Sequence, residues 1–476
     1  MSPAVESPPE VCRFEDEVAS AIAAHGFFET ETPIWVARAP GRLDVMGGNV
    51  DYTGGMVLQS LLREAVWVAV QPRADETIRI LNPGAARFNW EPSLEISASD
   101  LDDLASLRLR CSERESSRWT SYVLGALYFL TSCHRRKTEG GADIFIASDL
   151  PPNKGVSSSA ALEIATLKAA SAAWGIPLEG VALATAGQWV ENVVVGAACG
   201  IMDQAAIVLG RENHLLPLLC QPCQPFLPVM LPAGLRIWGI DSMVPRSTTG
   251  HAYETARAAA FIGYNLICRH EGIDVTPDQA SEIPRWTDSR LKGYLSNLAP
   301  SEFRAKYERW LPDTLNGREF LSRADEHVDP FTSISPDIDY PVRAAVRYAV
   351  EENLRVQMVS ALLQAKVSDS SIRLIGEILC QSHVAYAECG LGSAAADDLV
   401  ERALQAGFPG AKMTGGGAGG VVAVLGRSED ESSIHRIAEE YAAERGDMPQ
   451  IFEGSSNGVD AFGVRILHHP SLSRMQ

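Results

Sequence analysis

Apolar and polar positions follow one another along this chain in patterns that predict strands and helices in mixed order. Apolar runs predict buried strands at 65–70, 142–148, 235–241 and 421–425. Helical spacing predicts helices at 116–131, 158–174, 178–195 and 394–406. The 158–174 helix stops before Gly175 and Pro177, which is a common way for a helix to end. Together these elements predict an α+β protein.

The order of the elements favours two lobes, and the sequence contains no internal repeat. We expect a boundary near 235–250, with an N-terminal lobe over 1–240 and a C-terminal lobe over 241–476. The stretch from about 245 to 385 is predicted to be largely helical and polar, with an irregular segment over 327–340 where Asp and Pro are frequent. Within it, a polar helical region over about 270–340 has no role that the sequence explains.

Composition narrows the class of protein. At 476 residues the chain is long enough for two or three domains, and its net charge is −19. A surface this acidic repels nucleic acids and anionic membranes at long range, so we expect neither as a partner. The first residues lack the features of a secretory signal, and no stretch has the roughly 20 apolar residues of a membrane helix. We therefore expect a cytoplasmic protein.

The nine cysteines are odd in number and spread over the chain, which indicates reduced thiols. Cys220 and Cys223 form the one pair that has the spacing of metal ligands. A structural zinc site needs a second such pair or two histidines nearby, and none follows at a suitable spacing. We therefore interpret both residues as ordinary thiols and expect no zinc site.

The most informative segment is the turn and helix start over 151–162. It lies between the predicted strand 142–148 and the predicted helix 158–174. A helix N-terminus binds anions through unpaired amides, Gly155 allows close approach of the backbone, and the hydroxyls of Ser158 and Ser159 can contact phosphate or Mg²⁺. One serine would suffice as a helix cap, and the segment is not a Walker A loop, which ends in Gly-Lys-Ser/Thr. It therefore predicts a phosphate site.

A second polar segment covers residues 39–52. Around a Pro-Gly turn it combines an arginine, carboxylates, an amide and an aromatic ring: Arg42, Asp44, Asn49, Asp51 and Tyr52. Planar polar groups of this kind suit the hydroxyls of a sugar. A solvated hairpin with a surface arginine is the alternative, and for an isolated loop it would be the better interpretation.

Three further features complete the set of candidates. Glu191 interrupts an apolar helix, and Asp203 follows a glycine turn that could aim its carboxylate into a cleft, although surface carboxylates are common. The glycine run 415–420 is followed by a strand, whereas a dinucleotide-binding fingerprint requires a helix there. We therefore predict a turn whose backbone closely approaches another group.

Taken together, these segments resemble the kinase superfamily of galactokinase, homoserine kinase, mevalonate kinase and phosphomevalonate kinase, the GHMP kinases. The three motifs of that superfamily occur in order at 41–52, 151–162 and 413–420. Residues 199–204 resemble the segment that carries the catalytic Asp of galactokinases. Within the superfamily the chain is most similar to the kinase domain of L-arabinokinases, from about residue 34 to 426.

The resemblance implies a two-lobed fold with the active site between the lobes, and a role for each matching residue. Asp203 would orient or deprotonate the anomeric hydroxyl of a sugar, and Arg42 would neutralise charge beside it. Ser158 and Glu191 would hold Mg²⁺. ATP would be bound by Lys154, Gly155, Val156, Ser157, Ser158, Ser159 and Ala160, with Trp119 and Tyr122 near the adenine. The sugar would be bound by Asp44, Gly48, Asn49, Asp51, Tyr253, Gly416 and Gly417.

One departure from the galactokinase pattern bears on the substrate. Galactokinases usually have Gly-Glu-His where this chain has Gly47, Gly48 and Asn49, and the resemblance implies that their Glu contacts the 6-hydroxyl of galactose. Gly48 removes that contact, which suits L-arabinopyranose, because this sugar has the galactose ring configuration without the hydroxymethyl arm. Losing a contact permits arabinose without rejecting galactose; rejection needs a steric block or an unpaired polar group.

The sequence therefore predicts an ATP- and Mg²⁺-dependent sugar 1-kinase that is most similar to L-arabinokinase. A galactokinase, or another sugar or uronate 1-kinase, is the alternative with the same chemistry. A non-catalytic sensor of sugar and ATP is the alternative from a different class. A sensor could lose Arg42, Asp203 or the serine loop without penalty, yet all are present. Oligomeric state is not indicated.

Overall fold

The computed structural model describes residues 9–29, 31–133, 140–245, 251–281, 283–324 and 327–468. The helices are α1 (Pro9–His25), α2 (Leu104–Ser112), α3 (Thr120–Cys133), α4 (Ser158–Ala173), α5 (Gly180–Trp189), α6 (Met202–Leu209), α7 (His251–His270), α8 (Pro300–Glu302), α9 (Gly317–Leu321), α10 (Val342–Gln364), α11 (Asp369–Tyr386), α12 (Ala394–Gln405), α13 (Glu431–Arg445) and α14 (Val459–Phe462). Within these ranges no helix is both long and apolar enough to cross a bilayer.

The strands are short except for the first two. They are β1 (Ile34–Met46), β2 (Met56–Pro72), β3 (Thr77–Leu81), β4 (Ser93–Ser97), β5 (Ala142–Ser148), β6 (His214–Leu219), β7 (Gln224–Pro225), β8 (Val229–Met230), β9 (Leu235–Asp241), β10 (Val275–Pro277), β11 (Trp286–Asp288), β12 (Leu315–Asn316), β13 (Asp339–Tyr340), β14 (Gly410–Met413), β15 (Val421–Arg427), β16 (Ile451–Phe452) and β17 (Val464–Leu467). The predicted α+β class is confirmed.

The larger sheet is organised around the 17-residue strand β2. Its path is β17-β1-β2-β5-β3-β4, and β6, which also pairs with β7 and β8, joins the first half of β2. Neighbouring strands are antiparallel except β3 and β5. The predicted strand 142–148 is β5, and 65–70 lies within β2. Helix α4 packs on β1 and β2.

The smaller sheet has the order β14-β15-β9-β16 and is antiparallel throughout. The predicted strands 235–241 and 421–425 are β9 and part of β15, and the predicted helix 394–406 is α12. The predicted lobe boundary does not separate the two sheets. A division between 240 and 241 falls inside β9, and β17 returns to pair with β1 in the larger sheet. The limits of the lobes stay a prediction.

The prediction that residues 270–340 are largely helical is wrong. The helices in this region are short turns, and two-stranded ribbons, β10–β11 and β12–β13, join them. Proline and glycine recur here and interrupt helices, which explains the error. The region also has an apolar core of its own that packs against α7 and α10 and includes Phe303, Tyr307, Leu311 and Phe320.

Candidate active site

A bulge in β1 brings the 41–52 segment against the phosphate loop. The register between β1 and β2 shifts just before Arg42. A Cβ on Gly41 would lie 2.9 Å from the carbonyl oxygen of Val156, so only glycine fits at this contact. Arg42 then donates from its backbone nitrogen to that carbonyl oxygen (3.1 Å) and from Nη1 to the carbonyl oxygen of Gly155 (2.7 Å). Two motifs that lie far apart in sequence are thus joined by one arginine.

The same arginine holds Asp203. Its Nε and Nη2 lie 2.8 and 2.7 Å from Asp203 Oδ1, and the hydroxyl of Ser157 donates to Oδ2 at 2.5 Å. Asp203 lies in the first turn of α6, where the helix dipole stabilises a carboxylate. The Arg42 side chain is 1% exposed and that of Asp203 is 19% exposed. The carboxylate is therefore held by two partners while part of its side chain remains accessible to solvent.

The start of α4 is arranged as an anion site. Gly155 and Ser157 both have positive φ, 76° and 62°, and they turn the loop into the helix. The Ser157 side chain does not cap α4, because its hydroxyl bonds to Asp203 instead. The first amides of α4 thus have no side-chain partner at the cap position and remain available for phosphate oxygens. Ala160 is fully buried, so the helix packs closely on the sheet.

Glu191 lies where α5 changes its winding. The helix predicted over 178–195 ends as α5 at Trp189, and a wider π-helical turn follows over Val190–Val195. Glu191 Oε1 accepts a hydrogen bond from the hydroxyl of Ser159 (3.1 Å), and Oε2 accepts one from Nε2 of Gln204 (2.7 Å). Burial, together with the nearby charge of Asp203, raises the pKa of Glu191 to about 7.

This donor set fits a magnesium ion. Oxygen ligands from a carboxylate and hydroxyls are those that Mg²⁺ prefers, and Glu191 forms no ion pair with any residue of the described ranges. Ser158, the predicted partner of Glu191, is the neighbour of the serine that bonds to it. Ser158, Ser159 and Glu191 are therefore the residues that would hold the ion; the Ser158 assignment stays a prediction.

An aromatic cavity of about 320 Å³ opens beside the phosphate loop. It contains the predicted residues Trp119 and Tyr122, and it reaches Ser158 and Ser159. Trp119 is fixed by a hydrogen bond from Nε1 to the carbonyl oxygen of Glu91 (3.1 Å). Sequence reasoning missed other lining residues: Asn82, Phe88 and Trp90. Two aromatic residues within the polar stretch 87–91 were the signal that could have identified them.

Asp44 lies behind the sugar-motif loop. Its Oδ1 accepts from Nε2 of Gln59 (2.7 Å), and its Oδ2 accepts from the amide of Gly415 (3.3 Å) and from Nζ of Lys412 (3.4 Å). Asp44 and Lys412 are both fully buried. The structure thus places Asp44 in contact with the glycine turn, and its contact with a sugar stays a prediction.

Gly48 and Asn49 also contact the glycine turn. Nδ2 of Asn49 donates to the carbonyl oxygen of Gly416 (3.1 Å), and its Oδ1 is buried without a hydrogen-bond partner among the described residues. Gly417 has a φ of 83°, and a Cβ there would lie 2.7 Å from Cβ of Leu391. The prediction that this turn closely approaches other groups is therefore supported.

Asp51 and Tyr253 lie on either side of the loop that leads to Asp203. A Cβ on Gly200 would lie 2.1 Å from Asp51 Oδ2, and the hydroxyl of Tyr253 donates to the carbonyl oxygen of Ala198 (2.8 Å). Burial, with the charge of Asp203 second, raises the pKa of Asp51 to about 6. Asp51 also borders a cavity of about 340 Å³, which the sequence did not predict and which is lined in part by Cys220, Cys223, Trp286 and Tyr294.

Lys154 lies at the edge of the phosphate loop. Its Nζ lies 2.7 Å from Oδ2 of Asp241, which ends β9 in the smaller sheet, and the lysine side chain is 25% exposed. The pair links the phosphate loop to the second sheet. The predicted contact of Lys154 with a nucleotide stays a prediction.

Comparison with known proteins identifies related kinases. Family models match at residues 121–211 (GHMP kinases N terminal domain), 25–72 (galactokinase galactose-binding signature) and 358–446 (GHMP kinases C terminal). An L-arabinokinase of Arabidopsis thaliana is 35% identical over 94% of this chain, which spans only 48% of that protein. A galactokinase of Roseiflexus sp. (strain RS-1) is 28% identical over 90% of this chain and 93% of its own length.

Solved structures show the same fold. A galactokinase from Lactococcus lactis in complex with galactose superposes with a TM-score of 0.73 at 21% identity, covering 94% of this chain and 99% of that one. A mevalonate kinase superposes with a TM-score of 0.56 at 14% identity, covering 89% and 99%. At these identities the likeness establishes the fold, and the residues of the site must carry the chemistry.

Proposed function

The chain belongs to the GHMP kinases, as its three motifs predicted, and we propose that it transfers the γ-phosphoryl group of ATP to the anomeric hydroxyl of a monosaccharide. The observation that carries the proposal is the fixed carboxylate of Asp203. Arg42 and Ser157 hold it at the start of α6, directly beside the phosphate loop. A carboxylate in this place can orient a hydroxyl acceptor and take up its proton.

Phosphoryl transfer mainly requires positioning and neutralisation of charge, and the site supplies both. The aromatic cavity would receive the adenine, and the amides of 155–160 would bind the phosphates. Mg²⁺ held by Ser158, Ser159 and Glu191 would supply charge neutralisation on the phosphate oxygens. Arg42, which contacts both Asp203 and the phosphate loop, would balance charge on the transferring group. Asp203 would accept the proton of the sugar hydroxyl late in the reaction, because that hydroxyl is a weak acid.

L-Arabinose is the substrate that we propose, with D-galactose or a uronic acid as the alternative. A Cβ at residue 48 would lie 2.2 Å from the Tyr386 hydroxyl and 2.5 Å from Asp44 Oδ2. The glutamate that galactokinases usually have at this place would therefore not fit. Tyr386, which is fully buried, occupies the space that this side chain would need, so residue 48 offers no contact to a 6-hydroxyl. The identity to L-arabinokinase also supports arabinose, and the proposal includes a cytoplasmic location.

An ADP-release assay with Mg-ATP tests the substrate. The panel is L-arabinose, D-galactose, D-galacturonate, D-glucuronate and L-fucose. The highest kcat/KM for L-arabinose is expected. If D-galactose gives the highest kcat/KM, the proposed sugar 1-kinase activity stands, but the argument for arabinose from Gly48 and Tyr386 fails. Binding of ATP without turnover of any sugar would favour a sensor.

Asp203→Asn tests the chemistry. Loss of the carboxylate removes the proton acceptor, and we expect kcat to fall by about 10²–10⁴-fold. Binding of ADP, measured by calorimetry, should change little. Asp337→Asn is the matched control, because its side chain is 78% exposed, pairs with Arg318 at the surface and lines neither of the two cavities described above. A turnover rate for Asp203→Asn close to that of the control would contradict the assigned role.

A further inference from the structure

A second buried carboxylate, Glu163, lies behind the proposed cation site and has no part in the reaction described above. It is on α4, five residues after Ser158, and it is fully buried. Its Oε1 accepts a hydrogen bond from Nε2 of Gln204 (2.8 Å), and its Oε2 has no hydrogen-bond partner among the described residues. An unpaired oxygen on a buried carboxylate costs folding free energy, so its presence in Glu163 requires an explanation.

The amide of Gln204 connects Glu163 to Glu191. Its one NH₂ group donates to Glu163 Oε1 at 2.8 Å and to Glu191 Oε2 at 2.7 Å. Since that group has two protons, each carboxylate receives one, and turning the amide over would place its oxygen against both carboxylates. Gln204 is fully buried, and a Cβ on Gly187 would lie 3.0 Å from its Cγ. The glutamine therefore lies in the interior, packed beside Gly187.

The two ends of this bridge differ in what they face. Glu191 also bonds to Ser159 at the phosphate loop, whereas Glu163 faces the interior. Burial, with the neighbouring Glu191 second, raises the pKa of Glu163 well above its usual range. Glu163 thus holds the Gln204 amide from the interior, while Glu191 meets the same amide from the side of the phosphate loop.

We propose that Glu163 is a positioning residue that fixes the amide of Gln204 and thereby aims the Glu191 carboxylate at the cation. The proposal rests on the proposed function in one respect, namely that Glu191 is a cation ligand. Glu163 itself does not touch the ion. Groups that orient a metal ligand from behind typically change metal affinity by about 10–100-fold when they are removed.

Two substitutions in the full chain separate this role from a purely structural one. Glu163→Gln keeps an oxygen that can accept from Gln204, whereas Glu163→Met keeps a similar volume and has no such oxygen. The readout is the gain in ADP affinity that excess Mn²⁺ produces, measured by calorimetry against ADP in EDTA. We expect the gain to be unchanged within about 2-fold for the Gln variant and reduced at least about 10-fold for the Met variant. ADP affinity in EDTA should stay the same for both.

Equal Mn²⁺ effects in wild type and Glu163→Met would overturn the proposal, and so would equal losses in the Gln and Met variants. If Glu163→Met does not fold, Gln204→Met breaks the same bridge and should show the same loss. Glu191→Gln tests the premise: an unchanged Mn²⁺ effect there would remove Glu191 as a ligand, and the proposal would fall with it. Absence of sugar turnover beside an intact Mn²⁺ effect would instead count against the sugar-kinase proposal alone.

Discussion

The buried carboxylate beside the glycine turn and those beside the phosphate loop have opposite surroundings. Toward the glycine turn, both oxygens of Asp44 have partners, which include the ammonium group of Lys412. Toward the phosphate loop, Glu163 and Glu191 share one amide, and neither forms an ion pair within the described residues. We call these two sets the Asp44 network and the Glu191 cluster.

The presence or absence of a cationic partner distinguishes carboxylates that support the fold from those that we expect to bind ligands. A buried charge with a cationic partner and full hydrogen bonding is satisfied within the fold, and removing one partner is strongly destabilising. Carboxylates that face one another without a cation raise each other's pKa and weaken the fold, so they persist where an ion or substrate is expected to bind. By this criterion the Asp44 network joins the two sheets, whereas the Glu191 cluster, with Asp51 and Asp203 nearby, is the set that we expect to bind ligands.

The largest effect on stability is expected in the Asp44 network. Lys412→Met removes the cation from a fully buried pair and leaves Asp44 charged without it. We expect the free energy of unfolding to fall by about 3–5 kcal/mol in urea denaturation. The double variant with Asp44→Asn should recover part of this loss, because the uncompensated charge is then gone. A loss below about 1 kcal/mol would mean that the pair is not structural, and the comparison would fail.

At Asp51 we expect a substitution to raise the free energy of unfolding, by somewhat less than Lys412→Met lowers it. The pKa of Asp51 is raised from 3.8 to about 6 in the folded chain, so ionisation weakens the fold: the penalty is absent below about pH 4 and complete above about pH 6. Asp51→Asn should therefore raise the free energy of unfolding by up to about 3 kcal/mol near pH 7.5, and by less near pH 5. The KM for the sugar should rise. Destabilisation at both pH values would contradict the assignment of Asp51 to the ligand side.

The smallest effect is expected at Lys154, which lies between the two sets. The Lys154 side chain is 25% exposed and that of its partner Asp241 is 6% exposed, so Lys154→Met should lower the free energy of unfolding by about 1–2 kcal/mol, less than breaking the fully buried pair of Asp44 and Lys412. Loss of a cation beside the phosphates should nevertheless raise the KM for ATP by several-fold. Lys292→Met, on the region between α7 and α10, is a matched control for removal of a surface lysine. An unchanged KM for ATP would mean that Lys154 does not contact the nucleotide and only links the phosphate loop to the smaller sheet.

The sequence by itself determined the local elements and the identity of the motifs. Strand 235–241, strand 142–148 and the start of helix α4 were predictable, because periodicity and helix-end signals act over a few neighbouring residues. The motifs also indicated Arg42 and Asp203, which the structure brings into contact. The resemblance contributed what spacing could not, namely that segments more than 100 residues apart belong to one site.

Only the tertiary structure decided how each polar residue is used. Asp44 and Asp51 occur seven residues apart in one motif, yet one meets Lys412 and the other meets Gly200 and Asp203. Glu163 lies within helix α4, and only the folded structure connects it through Gln204 to Glu191. The partners come from other elements, and burial and charge depend on those partners, so neither could be obtained from a local pattern. The same reason explains why the core of residues 270–340 was missed: its apolar side chains meet across turns and not along a periodic helix.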